Sequence, residues 1–118
     1  MPYLIDGDVK LTDAHAIMQY LAVMYAPELV GTTPQESGEI DMLYMQLKDA
    51  KQSVTAPCYR QDSTKRKLGE MAKRKLAPII DYLGDKDFLM GKGPKIVDFY
   101  MLELCEFTDF LCEQQFYL

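Results

Sequence analysis

Few residues in this 118-residue chain are of a type that does chemistry. There is one histidine, His15, and there are three cysteines, Cys58, Cys105 and Cys112. Two cationic clusters, Lys65-Arg66-Lys67 and Lys73-Arg74-Lys75, complete the set. A thiolate is a nucleophile and a redox group, but three cysteines without a pairing pattern specify neither a disulfide framework nor a metal set. They point to a reducing compartment, with cytosol as the default. Cys105 and Cys112 stand seven apart on one helix face, two turns from each other and too far for a disulfide. Buried structural thiols are the favoured reading. A lone histidine at a helix start reads as a capping or surface residue. The six cations offer an anion-binding face, and a solvated helix surface is the favoured alternative.

Composition narrows the classes further. With 48% hydrophobic residues the chain can bury one ordinary core. A formal charge of -5 argues against nucleic acid or an anionic membrane as the main partner. No repeat, low-complexity tract or membrane-spanning run is present.

The elements that must position these residues read as a strand followed by four helices, a mostly α fold. Pro2-Tyr3-Leu4-Ile5 opens as a strand whose proline belongs at a first or edge position, and Asp6-Gly7-Asp8 closes it as a turn. Lys10-Leu11-Thr12-Asp13 then leads into the first helix. A lone strand leaves backbone groups unpaired, so its partner strands are expected outside this chain.

The first helix is predicted from Asp13 to Tyr25, with Ile17, Tyr20, Leu21, Met24 and Tyr25 on its packing face and Pro27 ending it. The second starts at Thr33-Pro34-Gln35-Glu36, with Thr33 as N-cap, Pro34 in the first turn and Glu36 completing a capping box. It runs to about Tyr59 with a seam of Ile40, Leu43, Leu47, Ala50 and Val54, suited to a facing helix or a subunit partner. A third runs from about Ser63 to Leu83 and buries Leu68, Ala72, Leu76, Ile79 and Leu83, with Gly84 as its left-handed stop. Pro78 predicts a kink or split inside it. The last, about Val97 to Glu113, is apolar nearly all round and is expected to be the most buried. Its acids, Glu103, Glu106, Asp109 and Glu113, form a stripe for solvent or for the basic helix. Nothing after Phe116-Tyr117-Leu118 covers this helix, so an apolar surface is expected to be exposed, to a missing segment or a partner. On this reading the isolated chain is unstable or aggregates.

Two segments carry a family resemblance. Pro2-Tyr3-Leu4-Ile5-Asp6-Gly7-Asp8-Val9-Lys10-Leu11-Thr12, with Ala16-Ile17 and Tyr20-Leu21-Ala22, resembles the glutathione transferases of the mu class and their flatworm relatives. Gly91, followed by Lys95-Ile96-Val97-Asp98-Phe99, resembles the same family's final-domain folding motif. The resemblance implies a helical bundle of the glutathione transferase C-terminal type, residues 33–118 and incomplete, after the C-terminal part of a thioredoxin-like glutathione-binding domain, residues 1–26. It implies conjugation of glutathione to electrophiles by a cytoplasmic dimer, with glutathione as substrate and no cofactor or metal. Met1 and Pro2, joined by a cis bond, would present backbone to the cysteinyl moiety. Asp13 and Ala14 fall where a helix start binds the γ-glutamyl carboxylate. Asp49 falls where a residue reaches across the dimer to the glutathione amine, and Tyr59 where a hydroxyl assists the electrophile.

The chain also departs from the family. Where the family has Gln or Glu followed by Ser, Asp13 adds a negative charge and Ala14 lacks a hydroxyl. Lys95 replaces the Ser or Thr of the last helix's capping box, so Asp98 keeps half of a reciprocal pair. The hydroxyl that stabilises the glutathione thiolate in the family precedes the position of Met1. Two readings follow: a glutathione transferase whose remaining sequence lies outside these residues, or a catalytically silent structural subunit covered by neighbours in a larger assembly.

Overall fold

The computed structural model describes residues 2–60 and 65–111. In chain order it places strands β1 (Tyr3–Asp6) and β2 (Val9–Thr12), helix α1 (Ala14–Tyr25), a 3-10 turn (Pro27–Leu29), and helices α2 (Pro34–Arg60), α3 (Lys65–Leu83) and α4 (Ile96–Leu111).

The strand at Tyr3 is not alone. β1 pairs antiparallel with β2, with Leu4 opposite Leu11 and Ile5 opposite Lys10. The expectation that its partner lies outside the chain is corrected in this respect: Val9 to Thr12, read as a lead-in to a helix, is the second strand of a hairpin. Gly7 and Asp8 make its two-residue turn, with Gly7 at φ 57°, a conformation that glycine adopts without strain. Leu4, Val9 and Leu11 are half-buried, whereas Tyr3 and Ile5 on the opposite face are exposed.

α1 keeps part of the face expected, since Ile17 and Tyr20 are half-buried, but not the rest of it. Ala22 is buried and Met18 packs against the core, whereas Leu21, Met24 and Tyr25 are exposed. The hairpin lies against this helix, with the Tyr20 hydroxyl donating to Asp6 at 2.8 Å.

α2 buries all five seam residues, Ile40, Leu43, Leu47, Ala50 and Val54. Burying a leucine such as Leu47, 0% exposed, contributes about 2 to 3 kcal/mol. At its start the Glu36 amide donates to the Thr33 hydroxyl at 3.1 Å, the expected cap. The reciprocal half differs, because the Glu36 carboxylate accepts from the Thr32 amide and hydroxyl, each at 2.7 Å. Gly31 just before this turn is held close to Ser37, where a Cβ would collide with the backbone.

α3 buries Leu68, Ala72, Leu76 and Ile79 and stops at Gly84, φ 54°. Pro78 does not split it, for the helix is continuous from Lys65 to Leu83. Pro78 is on the exposed side, so its missing amide faces solvent and not the core. The predicted start at Ser63 lies outside the described residues.

α4 packs Val97, Met101, Leu104 and Thr108 inward against α2 and α3. It is not enclosed: Phe99, Leu102 and Phe110 are exposed, as the surplus of apolar residues anticipated. Its acidic stripe meets α2 through an ion pair of Glu103 with Lys51. Glu113 and Cys112 lie outside the described residues. Cys58 is exposed, whereas Cys105 is half-buried and burial raises its thiol pKa.

Candidate functional site

The hairpin brings Pro2, Asp13 and Ala14 to one end of the molecule. Tyr3 pairs with Thr12, and the Thr12 hydroxyl donates to the Pro2 carbonyl at 3.2 Å. Met1, and with it the geometry of the Met1-Pro2 bond, lies outside the described residues.

Asp13 takes φ 76°, the one positive φ at a non-glycine position among the described residues. A helix N-terminus leaves its first amides without intrahelical partners, and a carboxylate there is favoured by the dipole as well. Asp13 supplies that carboxylate itself: one oxygen accepts from the His15 amide at 2.9 Å and from the Ala16 amide at 3.4 Å. The amides at this helix start therefore already hold an anion that belongs to the chain. Ala14, exposed, adds no donor beyond its backbone.

Asp49 and Tyr59 stand elsewhere. Both are on α2 and exposed, Tyr59 at 90%. Asp41, also on α2, faces the start of α1 through His15. At about 1.5 Å per residue Asp49 is ~12 Å farther along the helix and Tyr59 ~27 Å. The fold does not gather them with Pro2 and Asp13 within one chain. Among the described residues neither makes a side-chain hydrogen bond or ion pair.

A second constellation, not anticipated from sequence, joins α1 to α2 and α4. The His15 ring stacks on Tyr44 at 3.6 Å between centroids and 11° between planes. Tyr44 meets Tyr100 edge-on at 4.8 Å, their hydroxyls 3.5 Å apart. His15 is thus a packing residue, which corrects its reading as a cap or surface group. Burial lowers its pKa, against the opposing pull of Asp41 and Asp13, and Lys48 adds to the lowering. Burial also raises the Tyr44 pKa, helped by the Tyr100 hydroxyl, so no phenolate forms there near neutrality. The sequence showed the three ring types but held no signal that α1 would meet α2 and α4.

The His15 shift gives a signed expectation. A histidine whose folded pKa lies below its unfolded value of 6.5 is stabilising above that value, and the stabilisation is lost as pH falls through 6.5 toward the folded pKa. Thermal unfolding at pH 7.5 and pH 5.5 should show a larger fall in Tm for the native chain than for His15→Gln. Equal falls would remove His15 as the titrating group.

The third feature is Lys95, 8% exposed at the start of α4. Its ammonium donates to the carbonyls of Glu28 at 2.9 Å and Val30 at 3.0 Å, and pairs with Glu36 at 3.0 Å. Asp98 keeps the half cap foreseen: its carboxylate accepts from the Lys95 amide at 2.7 Å and the Leu89 amide at 2.8 Å. The Thr32 amide, then its hydroxyl and then Lys95, hold the Glu36 carboxyl down at about 2. The missing cap hydroxyl is replaced by a cation that fastens the connection between α1 and α2 to α4.

No protein-family model matches the chain. Glutathione S-transferase 2 of Gallus gallus is 33% identical over 108 residues, which are 90% of this chain and 48% of that protein. Glutathione S-transferase Mu 1 of Bos taurus is 32% identical over 108 residues, 49% of its length. The chain is a relative of the mu-class glutathione S-transferases. Glutathione S-transferase class-mu 26 kDa isozyme 7 of Fasciola hepatica is 32% identical over 117 residues, 97% of this chain and 52% of that protein. The chain spans about half the length of the curated relatives it matches. A short hairpin followed by helices, the mostly α fold expected, agrees with a glutathione S-transferase C-terminal domain. Among the described residues no helix is long and apolar enough to cross a membrane, and no cluster of His, Cys, Asp and Glu is suited to a metal.

Proposed function

We propose that the chain forms the helical part, and the adjoining end of the glutathione-binding part, of a cytoplasmic glutathione transferase. Residues 33–118 and 1–26 are the two parts on this reading. In the reaction the glutathione sulfur attacks an electrophilic carbon, a C–S bond forms, the carbon's leaving group departs with its electron pair, and the thiol proton goes to solvent. Met1 and Pro2 would present backbone to the cysteinyl moiety. Asp13 and Ala14 would lie at the γ-glutamyl carboxylate, Asp49 at the glutathione amine of a partner subunit, and Tyr59 at the electrophile. The observation that carries the reading is the state of Asp49 and Tyr59: both are exposed on one helix and unengaged by other side chains among the described residues. A residue that serves a ligand across a subunit interface needs that freedom.

The second reading, a silent structural subunit, is favoured by one observation. The carboxylate of Asp13 occupies the α1 amides that a bound γ-glutamyl carboxylate would use. Titration of glutathione into the native chain and an Asp13→Asn variant separates the two. Asn keeps an oxygen that caps the helix and removes the like charge, which at about 4 Å in water is worth ~1 kcal/mol, or about fivefold in affinity. Tighter binding by the variant supports the transferase reading. Absence of binding by both at millimolar glutathione sinks it and leaves the structural subunit.

A further inference from the structure

We propose that the outward face of α3 is a docking surface for an acidic polypeptide segment of a partner protein. Residues 65–75 contain six of the chain's 13 basic residues and one of its 18 acidic residues, Glu70. The packing of α3 decides where these charges point. Leu68, Ala72, Leu76 and Ile79 are buried, and at 100° per residue Arg66, Lys67, Lys73 and Arg74 fall on the other side, all four exposed. The Arg66 side chain is 84% exposed, its ion pair to Glu70 stretched to 4.0 Å. A cationic strip thus stands on a molecule whose net charge is -5.

That segregation selects the occupant. A nucleic acid or an anionic bilayer extends well past the strip, which a Debye length of about 8 to 10 Å at physiological salt does not bridge, and meets a remainder that carries 17 of the 18 acidic residues. Residues 65–81 also contain no aromatic side chain on which a base could stack. The apolar side of α3 is committed to the bundle, and no large apolar side chain among residues 66–74 is exposed to insert into lipid. A short acidic segment has neither difficulty. Arg66 and Arg74 are ~12 Å apart along the helix, and carboxylates at alternate positions of an extended peptide repeat every ~7 Å, so three or four of its residues span the strip. Arginine also offers a carboxylate two parallel donors, which lysine does not.

The test is fluorescence anisotropy of a labelled twelve-residue peptide of alternating Glu and Ala, titrated with the full chain at 20 mM and 150 mM salt. Binding should be present at low salt, weaken with added salt, and weaken about tenfold or more in Arg66→Glu/Arg74→Glu. Lys10→Glu/Lys92→Glu, exposed cations elsewhere, should bind as the native chain does. Arg66→Gln/Arg74→Gln guards against misfolding: it keeps helix propensity, and circular dichroism checks its fold. Unchanged binding in a folded double variant, or equal loss in the Lys10/Lys92 control, overturns the proposal. Tighter binding of twelve-residue single-stranded DNA or of phosphatidylserine vesicles than of the peptide overturns it as well.

Discussion

Replacing Lys95 by Met should lower the stability of the chain by about 3 kcal/mol, a drop in Tm on the order of 10 °C. Methionine keeps the length and apolar stem of the lysine, so no cavity forms and the loss reports the ammonium alone. That ammonium is the donor to the Glu28 and Val30 carbonyls, and the Glu36 carboxylate is paired with it. Removing one partner of a buried charged cluster strands the others, which is why truncation costs more than the cluster's net worth. A second variant separates the clamp from the cap. Lys95→Thr loses the same clamp and also the buried stem, but supplies a hydroxyl that can accept from the Asp98 amide, so it should be more stable than Lys95→Ala, which lacks that hydroxyl, by about 1 kcal/mol. Chemical denaturation measures both, and a Lys95→Met variant within 0.5 kcal/mol of the native chain, roughly the noise of surface substitutions, would show that water replaces the ammonium at no loss.

The clamp also sets an acid limit with a definite sign. Glu36 has a folded pKa of about 2, below its usual 4.5. Its stabilisation is therefore complete above about 4.5 and is lost as pH falls from there toward 2. The Lys95→Met variant should lose less on acidification than the native chain, because one of the interactions that depress the Glu36 pKa is already gone.

What the sequence disclosed follows the range of the interactions involved. The α2 seam was legible because Ile40, Leu43, Leu47, Ala50 and Val54 repeat at helical spacing and any facing helix buries them. Thr33 and Gly84 were legible because caps are decided within one turn. The hairpin was not, since Val9 to Thr12 is only four residues long and alternation over four positions carries little signal. The face of α1 was only partly legible, with Ile17 and Tyr20 half-buried but Leu21, Met24 and Tyr25 exposed, because the hairpin and the core compete for that helix and periodicity does not say which side each one takes. Lys95 was visible only as a lost cap. Its partners Glu28 and Val30 lie 67 and 65 residues earlier in the chain, and only the folded connection brings their carbonyls within reach. Likewise the Asp13 departure was readable as a charge beside a carboxylate site. That its oxygen itself sits on the His15 and Ala16 amides is a fact of backbone geometry at φ 76°.

The purified 118-residue chain should conjugate glutathione to a generic electrophile no faster than the spontaneous reaction. The thiolate is the attacking species, and a free thiol with a pKa near 8.5 is only a few per cent ionised at pH 7. A transferase gains rate by placing a donor that stabilises the sulfur anion, and groups of that kind contribute roughly 10²- to 10³-fold. Several of the described tyrosines are committed or distant. The Tyr44 and Tyr100 hydroxyls face each other at 3.5 Å, with the His15 ring stacked on Tyr44. Tyr20 donates to Asp6. Tyr59 is free, but it lies ~27 Å along α2 from the residue that faces the start of α1, beyond reach of a sulfur held beside Pro2 in the same chain. The expected result is thus a null rate with the chain alone, measured against a spectrophotometric electrophile across pH 6.5 to 8.5. A rate that exceeds the uncatalysed one by tenfold, and falls in Tyr59→Phe, would show that two chains assemble so that one lends Tyr59 to the other's glutathione. It would move the thiolate-stabilising role onto α2.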